Sequence, residues 1–192
     1  MKKIAVFCAS SPKVSEVYFD AARKVSADLV KAGYGIIYGG GAIGLMGAVA
    51  DETLKKKGVI TGIIPRFMVD VEWEHKDVED MIHVETMHKR KELMVQGSAG
   101  ILALPGGTGT LEELFEVMSL KKLGQYRHPI VVLNTNGYYD GLLQQTRKMV
   151  EEKFMRPIHN EMWSIVEHPG EVVSAFENAR PWDKDAIKFA GV

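Results

Sequence analysis

Short apolar runs alternate with longer amphipathic segments along most of this chain, and that alternation restricts the fold more than any other property of the sequence. Residues 3–8, 34–38, 59–64, 101–104 and 130–133 are short, apolar and bounded by Gly, Pro or polar residues, so they read as buried strands. Shorter strands are expected at 81–84 and 164–166. Segments 15–31, 45–57, 87–97, 110–123, 139–153 and 171–178 carry apolar residues at helical spacing. Stop signals fall where this reading needs them: Gly33 follows the first helix, three lysines precede Gly58, and Pro65 ends the third strand. Residues 66–80 are polar and acidic and read as a loop, and 180–192 as a loose tail. Strands this short between longer helices imply a parallel sheet covered on both faces, an α/β, doubly wound, Rossmann-like fold. With 192 residues the chain suits one domain, taken as 1–178, followed by a C-terminal tail at 179–192. Ligands of such sheets bind outside the carboxyl ends of the strands, which directs attention to the loops after Tyr38, Ile64 and Leu104.

Composition excludes several classes. Lys and Arg number 24 against 25 Asp and Glu, a net charge of -1, so neither nucleic acid nor an anionic membrane is an expected partner. Cys8 is the one cysteine, which excludes an internal disulfide framework and a Cys-cluster zinc site and fits a cytoplasmic protein. Cys8 reads as a small core residue. The six histidines show no metal-ligand spacing, so no metal is expected. Residues 32–50 are uncharged over 19 positions, but seven are glycine, and a strand, a turn and a helix explain them better than a membrane span.

Glycine is the unusual count, 19 of 192. Five of them fall at 39–47 and three at 105–110, both times between an expected strand and an expected helix. In the first loop Gly39, Gly41 and Gly44 satisfy GxGxxG. Glycines there let backbone N–H groups approach a phosphate, and the helix N-terminus adds positive potential. The acid that a dinucleotide fold wants about 20 residues later is absent, although Arg66 can accept a 2′-phosphate, which leaves NADP open. Tight-turn packing also remains open. The second loop, Pro105-Gly106-Gly107-Thr108-Gly109-Thr110, adds two threonine hydroxyls as phosphate donors. It lacks the lysine of a Walker A motif. The two loops together read as facing phosphate cradles, with Gly40, Gly41, Gly107, Thr108, Gly109 and Thr110 as candidate contacts.

Two charged positions stand beside these loops. Thr110-Leu111-Glu112-Glu113 fits a capping box, in which Glu113 merely bonds back to its own helix start. The alternative is a carboxylate on the first helical turn beside an anion pocket, available for chemistry at a sugar carbon. Glu112 points roughly 100° away around the helix and reads as solvated. Residues 87–91, Met-His-Lys-Arg-Lys, open another helix. They read either as a solvated charged face or as a site where Arg90 binds a phosphate or carboxylate through its planar guanidinium. Leu111, Leu114, Phe115 and Met118 form one apolar stripe, expected in the core or at a subunit interface.

The combination of MHKRK at 87–91 with PGGTGTLEE at 105–113 resembles the Lonely Guy family, cytokinin riboside 5′-monophosphate phosphoribohydrolases often labelled possible lysine decarboxylases. The resemblance runs over roughly 3–178 and includes the glycine loop 39–47 and Asn136-Gly137-Tyr138-Tyr139-Asp140. It implies a Rossmann-like fold, a homodimer or larger assembly, no cofactor, and Arg90 with Glu113 as the catalytic pair. It further implies that Lys91 and residues 107–110 contact the nucleotide. By collinear spacing it implies the same for Glu72 and Ser119. Many relatives have glycine after the cysteine where this chain has Ala9. The decarboxylase label finds no pyridoxal-phosphate lysine here. The expected activity is hydrolysis of the N-glycosidic bond of AMP or an N6-modified AMP. A non-catalytic nucleotide or cofactor carrier and an NADP oxidoreductase are the rivals.

Overall fold

The computed structural model describes residues 1–191, with the side chains of Asp70, Glu72 and Phe189 outside the described set. Its elements run β1 (Lys3–Phe7), α1 (Glu16–Lys31), β2 (Gly35–Tyr38), α2 (Gly44–Lys55), β3 (Ile60–Pro65), α3 (Val69–Glu72), β4 (Met81–Val84), α4 (Met87–Gln96), β5 (Gly100–Ala103), α5 (Thr108–Lys122), β6 (Ile130–Leu133), α6 (Asp140–Glu151), β7 (Ser164–Val166) and α7 (Val172–Glu177). The seven strands form one parallel sheet in the order β4-β3-β2-β1-β5-β6-β7. The doubly wound α/β expectation therefore holds.

The alternation along each strand divides the apolar residues between two cores. Ile4 and Val6 of β1 face α1, α2 and α7, packing with Val25, Leu29, Val49 and Phe176. Ala5 and Phe7 face the other way, with Met94 of α4 and Leu114, Val117 and Met118 of α5. Burial on both faces explains why these strands read as unbroken apolar runs. The chain winds outward from β1 in both directions, so the loops after β1, β2 and β5 meet at the point where the strand order reverses.

Two expected irregular segments are structured. Residues 66–80 hold a 3₁₀ turn at Arg66–Met68 and the single turn of α3, ended by Trp73 in the left-handed region at φ 49°. A lone turn has no periodicity to read, and its backbone is tied instead to the first glycine loop. Ala42 N–H donates to Trp73 O (3.0 Å) and His75 N–H to Gly40 O (3.1 Å). At the other end, Trp182 is buried and donates from Nε1 to Lys121 O (2.7 Å), and Ala186 is fully enclosed. The reading of 180–192 as loose thus fails where those side chains complete the second core. In the apolar stripe of α5, Leu114 and Met118 are buried, whereas Phe115 stays 37% exposed.

Candidate active site

A cavity of about 370 Å³ opens at the carboxyl ends of β1, β2 and β5. That size suits a small-molecule site. Arg90 and Glu113 both line it, together with Gly39, residues 8–11 after β1, and Gly107, Thr108, Gly109 and Thr110.

Arg90 owes its place to main chain. Thr86 caps α4, its hydroxyl accepting the Lys89 N–H (3.1 Å), which fixes where the helix begins and turns residue 90 inward. Arg90 as a whole is 5% exposed. Its Nε donates to Ile63 O (3.1 Å), inside β3, and one terminal nitrogen to Gly39 O (2.9 Å), just after β2. Arginine stays charged in a protein, so these carbonyl dipoles offset the cost of burying it. Gly39 is required by the same contact: a Cβ there would overlap the guanidinium.

The second glycine loop is braced from behind and open in front. Tyr138 donates its hydroxyl to Gly106 O (2.6 Å) and Tyr139 to Leu104 O (2.7 Å). Burial pushes the Tyr139 phenol above its ordinary range, so it remains a donor. Buried Asn134 accepts the Tyr139 N–H (2.7 Å) and donates to Asp140 and Glu167, locking the brace. Residues 136–140, which the sequence offered only as part of a resemblance, thereby acquire a physical task. At Gly106 a Cβ would overlap Thr110. At Gly107 and Gly109 a Cβ would meet nothing within 4 Å, and neither residue has positive φ. Neither packing nor backbone conformation demands those two glycines, and both line the cavity where α5 begins. Gly107 caps that helix without a side-chain bond. The first amides of a helix have no intrahelical acceptors, so this turn offers donors and positive potential to an anion.

Because α5 starts at Thr108, Glu113 is its sixth residue and lies too deep for a capping box. It is half-buried on the cavity wall. Glu112 also reaches the cavity and is not merely solvated: Lys91 pairs with Glu112 and with Glu116 (2.9 Å). Burial works against the Lys91 charge, but hydrogen bonds to these two carboxylates outweigh it and raise its pKa. Lys91 is not among the cavity-lining residues, nor is Ser119, whose exposed hydroxyl donates to Phe115 O (2.8 Å). The side chain of Glu72 lies outside the described residues.

The first glycine loop has a different task from the one expected. Gly39 lines the cavity; Gly40 and Gly41 do not. Gly40, at φ 86°, has Ile64 where a Cβ would go (2.9 Å). Gly44, at φ 66°, rests on the backbone of Ser10. The N–H groups of Leu45 and Met46 at the start of α2 both donate to Ala9 O (2.9 and 3.3 Å). The picture of two facing phosphate cradles gives way to one open turn and one backbone clamp. Arg66, the candidate for a 2′-phosphate, pairs at the surface with Glu85 (3.0 Å).

Sequence reasoning missed Ser10, Ser11 and four methionines, 46, 68, 87 and 94, on the cavity wall. Cys8 belongs to the core as expected but also borders the cavity. The same carboxyl-end rule, applied to the loop after β1, marks residues 8–11. Among the described residues no group of three or more His, Cys, Asp or Glu could hold a metal ion, and no helix is long and apolar enough to cross a membrane.

Known proteins match this arrangement at two levels. Among solved structures, the molybdenum cofactor carrier protein of Chlamydomonas reinhardtii superposes with a TM-score of 0.70 at 16% identity, covering 93% of this chain and 97% of that one. The molybdenum cofactor binding protein of Rippkaea orientalis gives 0.67 at 18%, over 92% and 95%. At such identities the likeness speaks for the fold alone. A family model described as possible lysine decarboxylase matches residues 46–176. The cytokinin riboside 5′-monophosphate phosphoribohydrolase LOG5 of Arabidopsis thaliana is 39% identical over 97% of this chain and 82% of its own length. The probable enzyme of that name LOGL2 from Oryza sativa subsp. japonica is 37% identical over 97% and 76%. The chain therefore belongs to the Lonely Guy family.

Proposed function

We propose that this protein hydrolyses the N-glycosidic bond of purine nucleoside 5′-monophosphates, AMP or an N6-modified relative, releasing free base and ribose 5-phosphate. The observation that carries this reading is that Arg90, Glu113 and the open turn at Gly107–Gly109 line one cavity, in a chain whose curated relatives are named for that activity.

The chemistry follows from the groups present. The 5′-phosphate sits on the first turn of α5, held by its N–H groups and by the hydroxyl of Thr108. Arg90 supplies a fixed positive charge that orients the nucleotide. As the bond from C1′ to the base lengthens, positive charge builds on the sugar, and the Glu113 carboxylate stabilises it. Glu113 then takes a proton from the attacking water, whose oxygen forms the new bond to C1′; the departing base nitrogen takes up a proton from solvent, to which Glu113 afterwards returns the one it took. In a carrier, Glu113 would serve only as a helix cap, and its position inside α5 disfavours that role.

We also propose that the chain works as a homodimer in the cytosol, the exposed Phe115 on α5 and Leu123 just after it forming part of the contact. The test of the activity is incubation with AMP and with N6-isopentenyl-AMP, followed by chromatography for free base. Release of base from either substrate supports it; tight binding without release favours a carrier. The mass in solution from light scattering tests the dimer.

A further inference from the structure

The active-site cavity is not the largest in the molecule. A second one, of about 590 Å³, lies at the β7 edge of the sheet and at the amino ends of its strands, where β6 and β7 begin with Ile130 and Ser164. Its volume is in the range of small-molecule sites. The last turn of α5 and the segment 178–183 close it.

Its chemistry is unusual for a packing defect. Lys121 lines it, is 3% exposed, and donates to His128 O (2.9 Å). A lysine ammonium carries three donors, so that carbonyl leaves two for another acceptor. Among the described residues no carboxylate forms an ion pair with Lys121. The Trp182 ring also lies within reach of its charge, 5.7 Å from Nζ to the centroid. A buried cation without an anion is costly, and burial alone lowers its pKa to about 8. Arg180 adds a second cation to the wall. The buried indoles of Trp163 and Trp182 supply broad flat surfaces. Glu161 and Asp183, both exposed, also line the cavity and repel a multiply charged anion such as phosphate.

We propose that this cavity binds a small planar aromatic carboxylate, its single negative charge on the Lys121 ammonium and its ring against the indoles of Trp163 and Trp182. The inference is independent of the proposed hydrolase activity, since none of these residues lines the cavity of Arg90 and Glu113.

The test uses tryptophan fluorescence in a Trp73→Phe background, which leaves only the two cavity indoles. Naphthalene-2-carboxylate is titrated against naphthalene-2-carboxamide, its uncharged counterpart, and against inorganic phosphate. The expected result is a saturable change with the carboxylate, at least ~10-fold weaker binding of the amide, and no competition by phosphate. Lys121→Met should weaken carboxylate binding at least ~10-fold and Arg180→Ala by roughly 3-fold. If Lys121→Met does not fold, the acid-to-amide ratio together with Arg180→Ala decides. No saturable change at millimolar carboxylate, equal binding of the amide, displacement by phosphate or by AMP, or unchanged binding in folded Lys121→Met would each overturn the proposal.

Discussion

The two glycine loops look alike in sequence and obey different physics. Both join a strand to a helix, and both read as phosphate cradles. In the first, glycine is dictated from inside: Gly40 and Gly44 have positive φ and press against Ile64 and Ser10, and the opening amides of α2 are consumed by Ala9 O. In the second, Gly107 and Gly109 meet no neighbour and have no special φ, while the turn is held from behind by Tyr138 and Tyr139. A glycine-rich turn is thus a ligand site only when its amides and its missing side chains are left over after the fold has taken what it needs.

Substitutions can break that distinction. The largest expected effect lies beside the open turn: Glu113→Gln should lower turnover by at least ~10²-fold at unchanged thermal stability. Near-normal release of base from a folded variant would remove Glu113 from the mechanism. In the clamp, Gly44→Ala should destabilise the protein by about 2 kcal/mol or more, read from denaturant midpoints, because the new methyl meets the Ser10 backbone at an unfavourable φ. In the open turn, Gly109→Ala should do the reverse. Stability holds or rises by up to about 1 kcal/mol, as expected when alanine replaces helical glycine, while kcat/KM for the nucleotide falls roughly 10-fold. If both alanines behave alike in both assays, the contrast between the loops is wrong. Tyr138→Phe removes one brace and should cost roughly 3-fold in kcat/KM with a stability change of about 1 kcal/mol or less. Ser119→Ala should be nearly silent, within about 0.5 kcal/mol and less than 2-fold in KM, since its hydroxyl is bound to its own helix. A large rise in KM there would restore Ser119 as a substrate contact.

The sheet was readable because β1, β2, β3, β5 and β6 are buried on both faces, a pattern carried by runs of four to six residues. Arg90 and Glu113 were readable only in combination, since each alone admitted a bland explanation that the positions of Thr86 and Gly107 remove. The turns at 66–73 and the docking of 182–186 were not readable. Their order comes from partners far along the chain: Trp73 and His75 hold Gly40 and Ala42, and Trp182 reaches Lys121. The division of labour between the glycine loops was hidden for the same reason, because Ala9 and Ser10 decide it and neither lies in either loop. The carboxyl-end rule, aimed at the loops after Tyr38, Ile64 and Leu104, passed over residues 8–11, which it marks once it is applied to β1 as well.

The anchoring of Arg90 has a consequence for how this site tolerates change. Its guanidinium is hung from two peptide carbonyls, at Ile63 and Gly39. Peptide groups are the one part of a protein that substitution leaves untouched. Side chains along β2 and β3 can therefore drift as long as the strands persist, and the charge keeps its address without any compensating change nearby. The exception is residue 39 itself, where a single methyl group evicts the cation. The vulnerability of this half of the site is concentrated in one hydrogen atom.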